Sequence, residues 1–413
     1  MEYSIIKKGR RGYVRPLPPL PLGKFLEGRF SYEKQGIEFM PVRAWGYVKL
    51  YSIKAGSFPW GLIDEVLEVC QLWSTTHPED TFKVKVLKRL EIVPKLDPRL
   101  RPYQKEAVQA VISNHGGILA MPTGSGKTFT CLDVLTEKAL VICPTKYLVE
   151  QWQEQVPDFV DVRTYQGIKD YKILKDYKIV VFDECHHVAA STLYKIAMKL
   201  DEQMVIGLSA TPDKREDGED LKVYGALGKI IYTISLRSLI TSGYLCDAEI
   251  DIVELEHMEW DNISNYQEIY KDYIVDNNER NDQIIGKCEE YHGKKILILV
   301  NQIEHGEMLN DMLKPLNSIF LCSKTKKKSF EEDIIIATSI LDEGIDLPDR
   351  EVVILAGGGK SSIKVLQRIG RVLRTHPSKQ MATIVDFKDS AKYLFKHYKR
   401  RMEIYEEHGF KYR

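Results

Sequence analysis

Three stretches of this chain carry residue types whose spacing suits phosphate chemistry. The first is Met121-Pro122-Thr123-Gly124-Ser125-Gly126-Lys127-Thr128. Glycines at 124 and 126 let the backbone curl until its N–H groups point inward, a nest for phosphate oxygens at the start of a helix. A lysine placed as Lys127 reaches β- and γ-phosphates, and a hydroxyl placed as Thr128 holds Mg²⁺. The strict spacing asks for glycine at 121, where this chain has Met. A surface loop beside an ordinary strand is the plain alternative. ATP and Mg²⁺ are the expected ligands, with Thr123, Gly124, Ser125, Gly126, Lys127 and Thr128 around the nucleotide.

The second stretch is Ile179-Val180-Val181-Phe182-Asp183-Glu184-Cys185-His186-His187. Four apolar residues form a buried strand that delivers two adjacent carboxylates to its tip. Successive strand side chains point opposite ways, so the two can do different work. Asp183 is expected in the outer sphere of the Mg²⁺ held by Thr128, and Glu184 is expected to orient and deprotonate the attacking water. An acidic turn at a strand end is the alternative. His186-His187 invites a metal reading, but no further ligands follow at usable spacing. The third stretch runs from Gln367 to Arg374. Gln367, Arg371 and Arg374 fall at i, i+4 and i+7, on one face of a helix predicted over 363–373. Arginines displayed so could reach across a cleft to a γ-phosphate, although a salt-bridged surface helix has the same pattern.

What must position these groups is legible from the hydrophobic pattern. From residue 100 onward, apolar strands (117–121, 139–143, 179–182, 205–208) alternate with amphipathic stretches such as 127–135 and 148–155. That is the signature of an α/β fold with a parallel sheet covered on both faces. Ligands of such sheets bind beyond the carboxyl ends of the strands. There Pro144 and Thr145 end one strand, and Thr164 and Gln166 follow another. These four are candidates for gripping a nucleic-acid strand. Ahead of the phosphate loop, Arg101 and Gln104 lie in Leu100-Arg101-Pro102-Tyr103-Gln104, where an amide can both give to and accept from an adenine edge. A second lobe repeats the logic with strands at 295–300, 333–337 and 351–355 and a helix at 303–313. Thr338 follows its middle strand, Gly344 and Asp346 lie in the loop beyond, and Gly357-Gly358-Gly359 reads as a flexible turn. Residues 391–413 read as a closing helix. The expected domains are 1–95, 96–246 and 247–413.

Residues 1–95 read as a small β-rich unit with one helix over 61–73 and a further strand within 81–93. The formal net charge of the chain is zero, yet its first hundred residues hold 17 Lys and Arg against 11 Asp and Glu. Lys7, Lys8, Arg10, Arg11, Arg15, Lys24, Arg29, Lys34, Arg43 and Lys49 carry most of that excess. The unit is expected to be an accessory nucleic-acid module, and although the interleaved Tyr13, Phe30, Tyr32, Trp45 and Tyr47 could stack on bases, core packing is the favoured role for these aromatics. Seven cysteines with no Cys-x-x-Cys pair suit reduced thiols in an intracellular protein. No apolar run approaches the ~20 residues that span a bilayer. A start as polar as Met1 to Lys8 is unlike a signal peptide.

With these segments in this order, the chain resembles the superfamily 2 helicases, and among them the branch of the XPB and UvsW helicases. The resemblance rests on 121–128, Cys143-Pro144-Thr145, Asp183-Glu184-Cys185-His186, Ser209-Ala210-Thr211, 337–346 and 367–374, and it extends over about 100–390. Arg215-Glu216-Asp217 sits where XPB-like proteins carry an Arg-Glu-Asp element implicated in unwinding. The segment at 320–333 is short for the second lobe, and 247–293 lacks room for the thumb-like insert of some XPB-like enzymes. The resemblance implies two RecA-like lobes, ATP and Mg²⁺ as cofactors, and ATP-driven 3′→5′ tracking on forked or branched DNA in repair or recombination. It further implies DNA, single-stranded and branched, as the partner, joined by a nuclease or recombination protein. A monomer is expected, in the cytoplasm, at the nucleoid, or in host cytoplasm for a viral protein. The rivals are an RNA helicase, a duplex translocase that separates no strands, the motor of a restriction complex, and a DNA-binding module without activity. Gln367 in place of the histidine of DEAD-box proteins argues against RNA.

Overall fold

The computed structural model describes residues 1–33, 47–85, 90–210, 219–255, 265–322, 331–338, 347–358, 369–370, 372–377 and 379–413. The chain divides into two compact units, Met1–Met121 with Gly126–Ile234, and Pro122–Ser125 with Ser235–Arg413.

The first unit opens with β1 (Glu2–Lys8), β2 (Arg11–Arg15), α1 (Leu20–Arg29), β3 (Ser31–Glu33), β4 (Tyr47–Lys49), β5 (Ser57–Pro59), α2 (Ile63–Thr76) and β6 (Thr81–Lys85). Among these, β5-β2-β1-β6 form a mixed sheet and β3 pairs with β4. The predicted helix starts at Ile63, two residues later than expected, because Trp60–Leu62 turn as a 3₁₀ segment ahead of it, and it runs on to Thr76.

Next come α3 (Pro102–Asn114), β7 (Gly116–Ala120), α4 (Lys127–Leu132), β8 (Ala139–Cys143), α5 (Lys146–Gln153), β9 (Val160–Thr164), β10 (Ile179–Phe182), α6 (Ser191–Ala197), β11 (Met204–Ser209), α7 (Asp220–Leu227) and β12 (Ile230–Thr233). Their six strands form one parallel sheet in the order β12-β7-β11-β10-β8-β9. Every residue of β7, β8, β10 and β11 is buried, as continuous apolar runs require when helices cover both faces. The helix after the phosphate loop ends at Leu132, short of the predicted 135, where Asp133 turns its carboxylate to the backbone N–H groups of Leu96 and Asp97.

The amino-terminal residues pack as part of this first unit. Leu221 and Tyr224 of α7 lie against the core of Tyr3, Ile5, Val14, Phe58 and Leu62. A Cβ on Gly61 would stand 2.0 Å from the Tyr224 carbonyl oxygen, so only glycine fits that approach. This docking consumes part of the basic patch. Arg10 is buried and donates to the Ala226 carbonyl, Lys7 donates to the Asp201 carbonyl at 3.1 Å, and Arg15 ties to Val14 and Ala55. Lys49 pairs with Glu27 at 2.7 Å. Lys8, Arg11, Lys24 and Arg29 are exposed, whereas Lys34, Arg43 and Trp45 lie outside the described residues. Phe30 is core, and the Tyr32 hydroxyl donates to Glu219 at 3.1 Å.

The second unit holds α8 (Leu236–Thr241), β13 (Asp247–Glu254), α9 (Tyr266–Tyr270), α10 (Asn278–Glu290), β14 (Ile296–Leu299), α11 (Ile303–Leu313), β15 (Ser318–Leu321), β16 (Ile334–Ala337), β17 (Val352–Ile354), β18 (Met381–Lys388), α12 (Lys392–Glu407) and β19 (Lys411–Tyr412). It begins at Ser235, ahead of the expected 246/247 boundary, so that α8 belongs to it. Its strands form a parallel sheet in the order β15-β16-β14-β17-β18-β13-β19. The closing helix stops at Glu407, and the tail adds β19 to the sheet edge beside β13 rather than continuing as helix. A buried ionic network fastens α12. Arg401 reaches Asp386 at 2.8 Å and Asp389 at 3.2 Å, Tyr405 donates to Asp386 at 2.7 Å, and Arg280 reaches Asp389 at 2.5 Å.

Candidate active site

Because the first sheet is parallel, the segments that follow its strands all emerge at one edge. Met121 follows β7, Ala210 follows β11, Asp183 follows β10, Pro144 follows β8 and Tyr165 follows β9. Those five strands are consecutive neighbours in the sheet. Register sharpens the alignment. Phe182 lies opposite Ile142 and Gly207, Ala120 lies opposite Ser209, and Cys143 lies opposite Thr164. Candidate residues separated by sixty positions in sequence therefore share one rim.

On that rim, Gly124 and Gly126 have φ of 84° and 78°, the left-handed region that a curled phosphate loop requires. A Cβ on Gly126 would fall 2.6 Å from Gln104 Nε2, so the Gln104 side chain lies against the loop. Its Oε1 accepts the Arg101 N–H at 2.9 Å, closing the start of α3. The amide expected at the adenine edge thus also braces the phosphate loop from behind, while the Arg101 guanidinium donates to the Tyr103 hydroxyl at 3.2 Å. Lys127 begins α4, and its ammonium arches back to the Met121 carbonyl at 3.1 Å, spanning the loop from one end to the other. Thr128 follows in the first turn. Thr123 is half-buried and Ser125 buried.

Asp183 sits just past β10, its N–H on the Ile142 carbonyl at 3.0 Å. Both carboxylate oxygens are engaged. Oδ1 accepts the Glu184 N–H at 2.9 Å, and Oδ2 accepts the indole N–H of Trp152 at 2.8 Å. Burial, helped by the Glu184 charge, pushes the Asp183 carboxyl up to about 6, against the pull of the Trp152 N–H and the Lys127 ammonium. Glu184 has φ of 45°, left-handed for a residue with a Cβ. His186 is buried, with Nδ1 at 3.2 Å from Ser209 Oγ and 3.4 Å from Glu184 Oε2. That contact links the acidic pair to the end of β11.

Among the candidate strand grips, the Thr145 hydroxyl caps α5 by accepting the Leu148 N–H at 3.3 Å, and Pro144 stands beside it. Thr164 ends β9, and Gln166 is exposed just beyond. In the second unit, Thr338 is buried after β16 with its N–H on Leu321 O at 3.3 Å, and Arg374 bridges to Leu245. Arg215, Gly344, Asp346, Gln367 and Arg371 lie outside the described residues. Among the described residues no three His, Cys, Asp or Glu side chains converge as a metal-binding group. Sequence reasoning did not single out Trp152. Its signal was an apolar position one turn after Leu148, on a helix whose indole N–H must find an acceptor once buried.

Residues 97–172 and 162–214 match the family described as type III restriction enzyme, res subunit, and residues 277–376 match the helicase conserved C-terminal domain. The ATP-dependent DNA helicase UvsW of enterobacteria phage T4 is 26% identical over 93% of this chain and 93% of its own length. A putative DNA 3′-5′ helicase Rad25 of Haloarcula marismortui is 25% identical over 67% of this chain. The chain is a superfamily 2 helicase resembling the XPB and UvsW branch. The helicase aligns with 50% of that Rad25 relative's length. Its fold matches a fragment of a putative HsdR subunit of a type I restriction enzyme from Vibrio vulnificus YJ016, with a TM-score of 0.57 at 19% identity over 95% of this chain and 82% of that one. No described helix is long and apolar enough to cross a membrane, and all seven cysteines are free thiols.

Proposed function

We propose that this protein is an ATP-hydrolysing DNA helicase or translocase that tracks 3′→5′ on forked or branched DNA in repair or recombination. The observation that carries the reading is the shared rim. The phosphate-loop lysine, the acidic pair and the two strand-end grips occupy the carboxyl ends of four strands in a run of five neighbours, where such sheets bind ligands. The residues present fit a nucleotide with its metal. Gly124 and Gly126 hold the left-handed angles of an inward-facing amide nest, and a hydroxyl and a carboxylate stand at Thr128 and Asp183. Thr128 would hold Mg²⁺ with Asp183 in its outer sphere, and the ion when bound would supply neutralising charge at the phosphates.

Within this reading, Lys127 pairs with the β- and γ-phosphates. Glu184, displaced from its strand by the left-handed turn, takes the proton of the attacking water. His186, touching both Glu184 and Ser209, holds that carboxylate in place. Pro144, Thr145, Thr164 and Gln166 grip the strand from the first unit and Thr338 from the second, with Arg215 as a further contact. Gln104 and Arg101 serve the base, and Gly344 and Asp346 the nucleotide. Gln367, Arg371 and Arg374 carry the transition-state role. The amino-terminal module, braced on α7, is the accessory DNA contact. The names of the relatives, a phage DNA helicase and a DNA 3′-5′ helicase, support DNA over RNA and the polarity.

The test is ATPase stimulation by single-stranded DNA, forks, Holliday-type junctions and RNA duplexes side by side, with fork unwinding and triplex displacement on the same substrates. Forks and junctions should stimulate most and should be unwound. Equal stimulation by RNA would contradict the substrate class, and triplex displacement without fork unwinding would contradict strand separation.

A further inference from the structure

Among the described residues the Asp183 carboxylate accepts one hydrogen bond from the backbone and one from a side chain, and the second comes from a helix of a different strand–helix unit. Trp152 lies in the last turn of α5, is 1% exposed, and gives its indole N–H to Asp183 Oδ2 at 2.8 Å. The other oxygen, Oδ1, is held by the Glu184 N–H at 2.9 Å. A planar carboxylate gripped at both oxygens cannot rotate about its own axis. The indole is itself rigid, with two side-chain torsions fixed by burial. A buried indole needs an acceptor, and a backbone carbonyl would serve. Here the acceptor is the side chain to which the metal is assigned.

The same helix begins at Thr145, whose hydroxyl caps it at Leu148 N–H. An α5 of eight residues is about 12 Å long, short enough to move as one body. Its two ends therefore carry the proposed strand grip and the proposed metal carboxylate. A shift of α5 of one ångström would stretch a 2.8 Å hydrogen bond beyond its useful range. We propose that Trp152 is a positioning residue that sets the Asp183 carboxylate for the metal and reports to it, through α5, whether a nucleic-acid strand is held at Thr145. This rests on the helicase reading for its ligands, and on the hydrogen bond for its mechanism.

Two measurements test it. The first is read on the wild-type chain, with one variant used only to assign a resonance. In ¹⁵N-labelled protein the five tryptophans give five indole N–H resonances, and the one that moves in Asp183→Asn is Trp152. That resonance should shift on adding ADP with Mg²⁺, and again on adding an oligothymidylate to the ADP complex. A shift with neither ligand overturns the proposal. A shift with nucleotide alone overturns the link through α5.

The second counts free Mn²⁺ by electron paramagnetic resonance in the ADP complex. Outer partners of metal ligands are typically worth about 10–100-fold in affinity. Trp152→Phe, which keeps a buried ring but has no N–H, should weaken Mn²⁺ by that factor, with ADP affinity in EDTA unchanged. Wild type should bind Mn²⁺ more tightly with oligothymidylate present, and Trp152→Phe should lose that gain, since coupling between two ligands is reciprocal. Equal loss of ADP affinity in EDTA would mark a merely structural tryptophan and refute the proposal. A wild-type chain that binds ADP and Mn²⁺ but no DNA would refute the helicase reading, and the α5 link with it.

Discussion

Glu184 occupies a backbone conformation that its side chain disfavours, which makes it a place where function and stability should pull apart. Its φ of 45° is left-handed. For a residue with a Cβ that costs roughly 1–2 kcal/mol, whereas glycine adopts it without penalty. Against this, glycine gains about 0.5–1 kcal/mol of backbone entropy in the unfolded chain. Removing the Glu184 charge also relieves the adjacent Asp183, whose carboxyl it helps push up to about 6. The balance favours Glu184→Gly by up to roughly 1 kcal/mol, or about 2–4 °C in Tm for a unit of this size. The same substitution removes the proposed base and should lower ATP turnover by about 10²–10⁴. Glu184→Gln sheds the same charge but keeps the strained backbone, so it should lose the same activity with a smaller gain in Tm. Calorimetry and single-turnover hydrolysis on both variants decide the matter. A Tm for Glu184→Gly below that of Glu184→Gln would refute the strain argument, and wild-type turnover in Glu184→Gln would refute the assigned base.

Other outcomes follow from single contacts. Gly61→Ala places a methyl 2.0 Å from the Tyr224 carbonyl oxygen and should cost about 1–3 kcal/mol, read as a lower unfolding midpoint in urea. His305 is fully buried with Nε2 on Asn281 Oδ1 at 2.9 Å, and burial, aided by Arg280, lowers its pKa to about 4. Between that value and about 6.5 the unfolded chain binds the proton and the folded one does not. Stability is therefore full above the unfolded value and should fall by roughly 2 kcal/mol from pH 7 to pH 5. Denaturant melts in which His305→Asn shows the same loss would contradict this. Arg401→Met strands Asp386 and Asp389 in the interior and should destabilise by about 3–5 kcal/mol, as measured by urea melts.

How far the sequence carried the structure depended on the range of the interaction. Buried parallel strands declare themselves as apolar runs, so 139–143 and 303–313 coincide with β8 and α11 to the residue. Local backbone chemistry was equally readable: Gly124 and Gly126 take the positive φ that the phosphate loop needs. What stayed hidden was set by tertiary partners. Basic residues in the amino-terminal module look alike in sequence, yet Arg10 is spent on a helix end in the first unit while Lys24 and Arg29 are exposed. The tail after Glu407 has no strand pattern of its own; it becomes β19 only because β13 offers an open edge. Trp152 was invisible for the same reason, since its acceptor lies thirty-one positions away on another strand.

The most direct test of the central claim is ATP hydrolysis by Lys127→Ala, measured with and without forked DNA. Lys127 is the cation that begins α4 and spans the loop to Met121. Losing one such preorganised charge partner should cut stimulated turnover by about 10²–10³, while fork binding without nucleotide stays within twofold of wild type. Hydrolysis at the wild-type rate in that variant would contradict the assignment of the nucleotide to this rim.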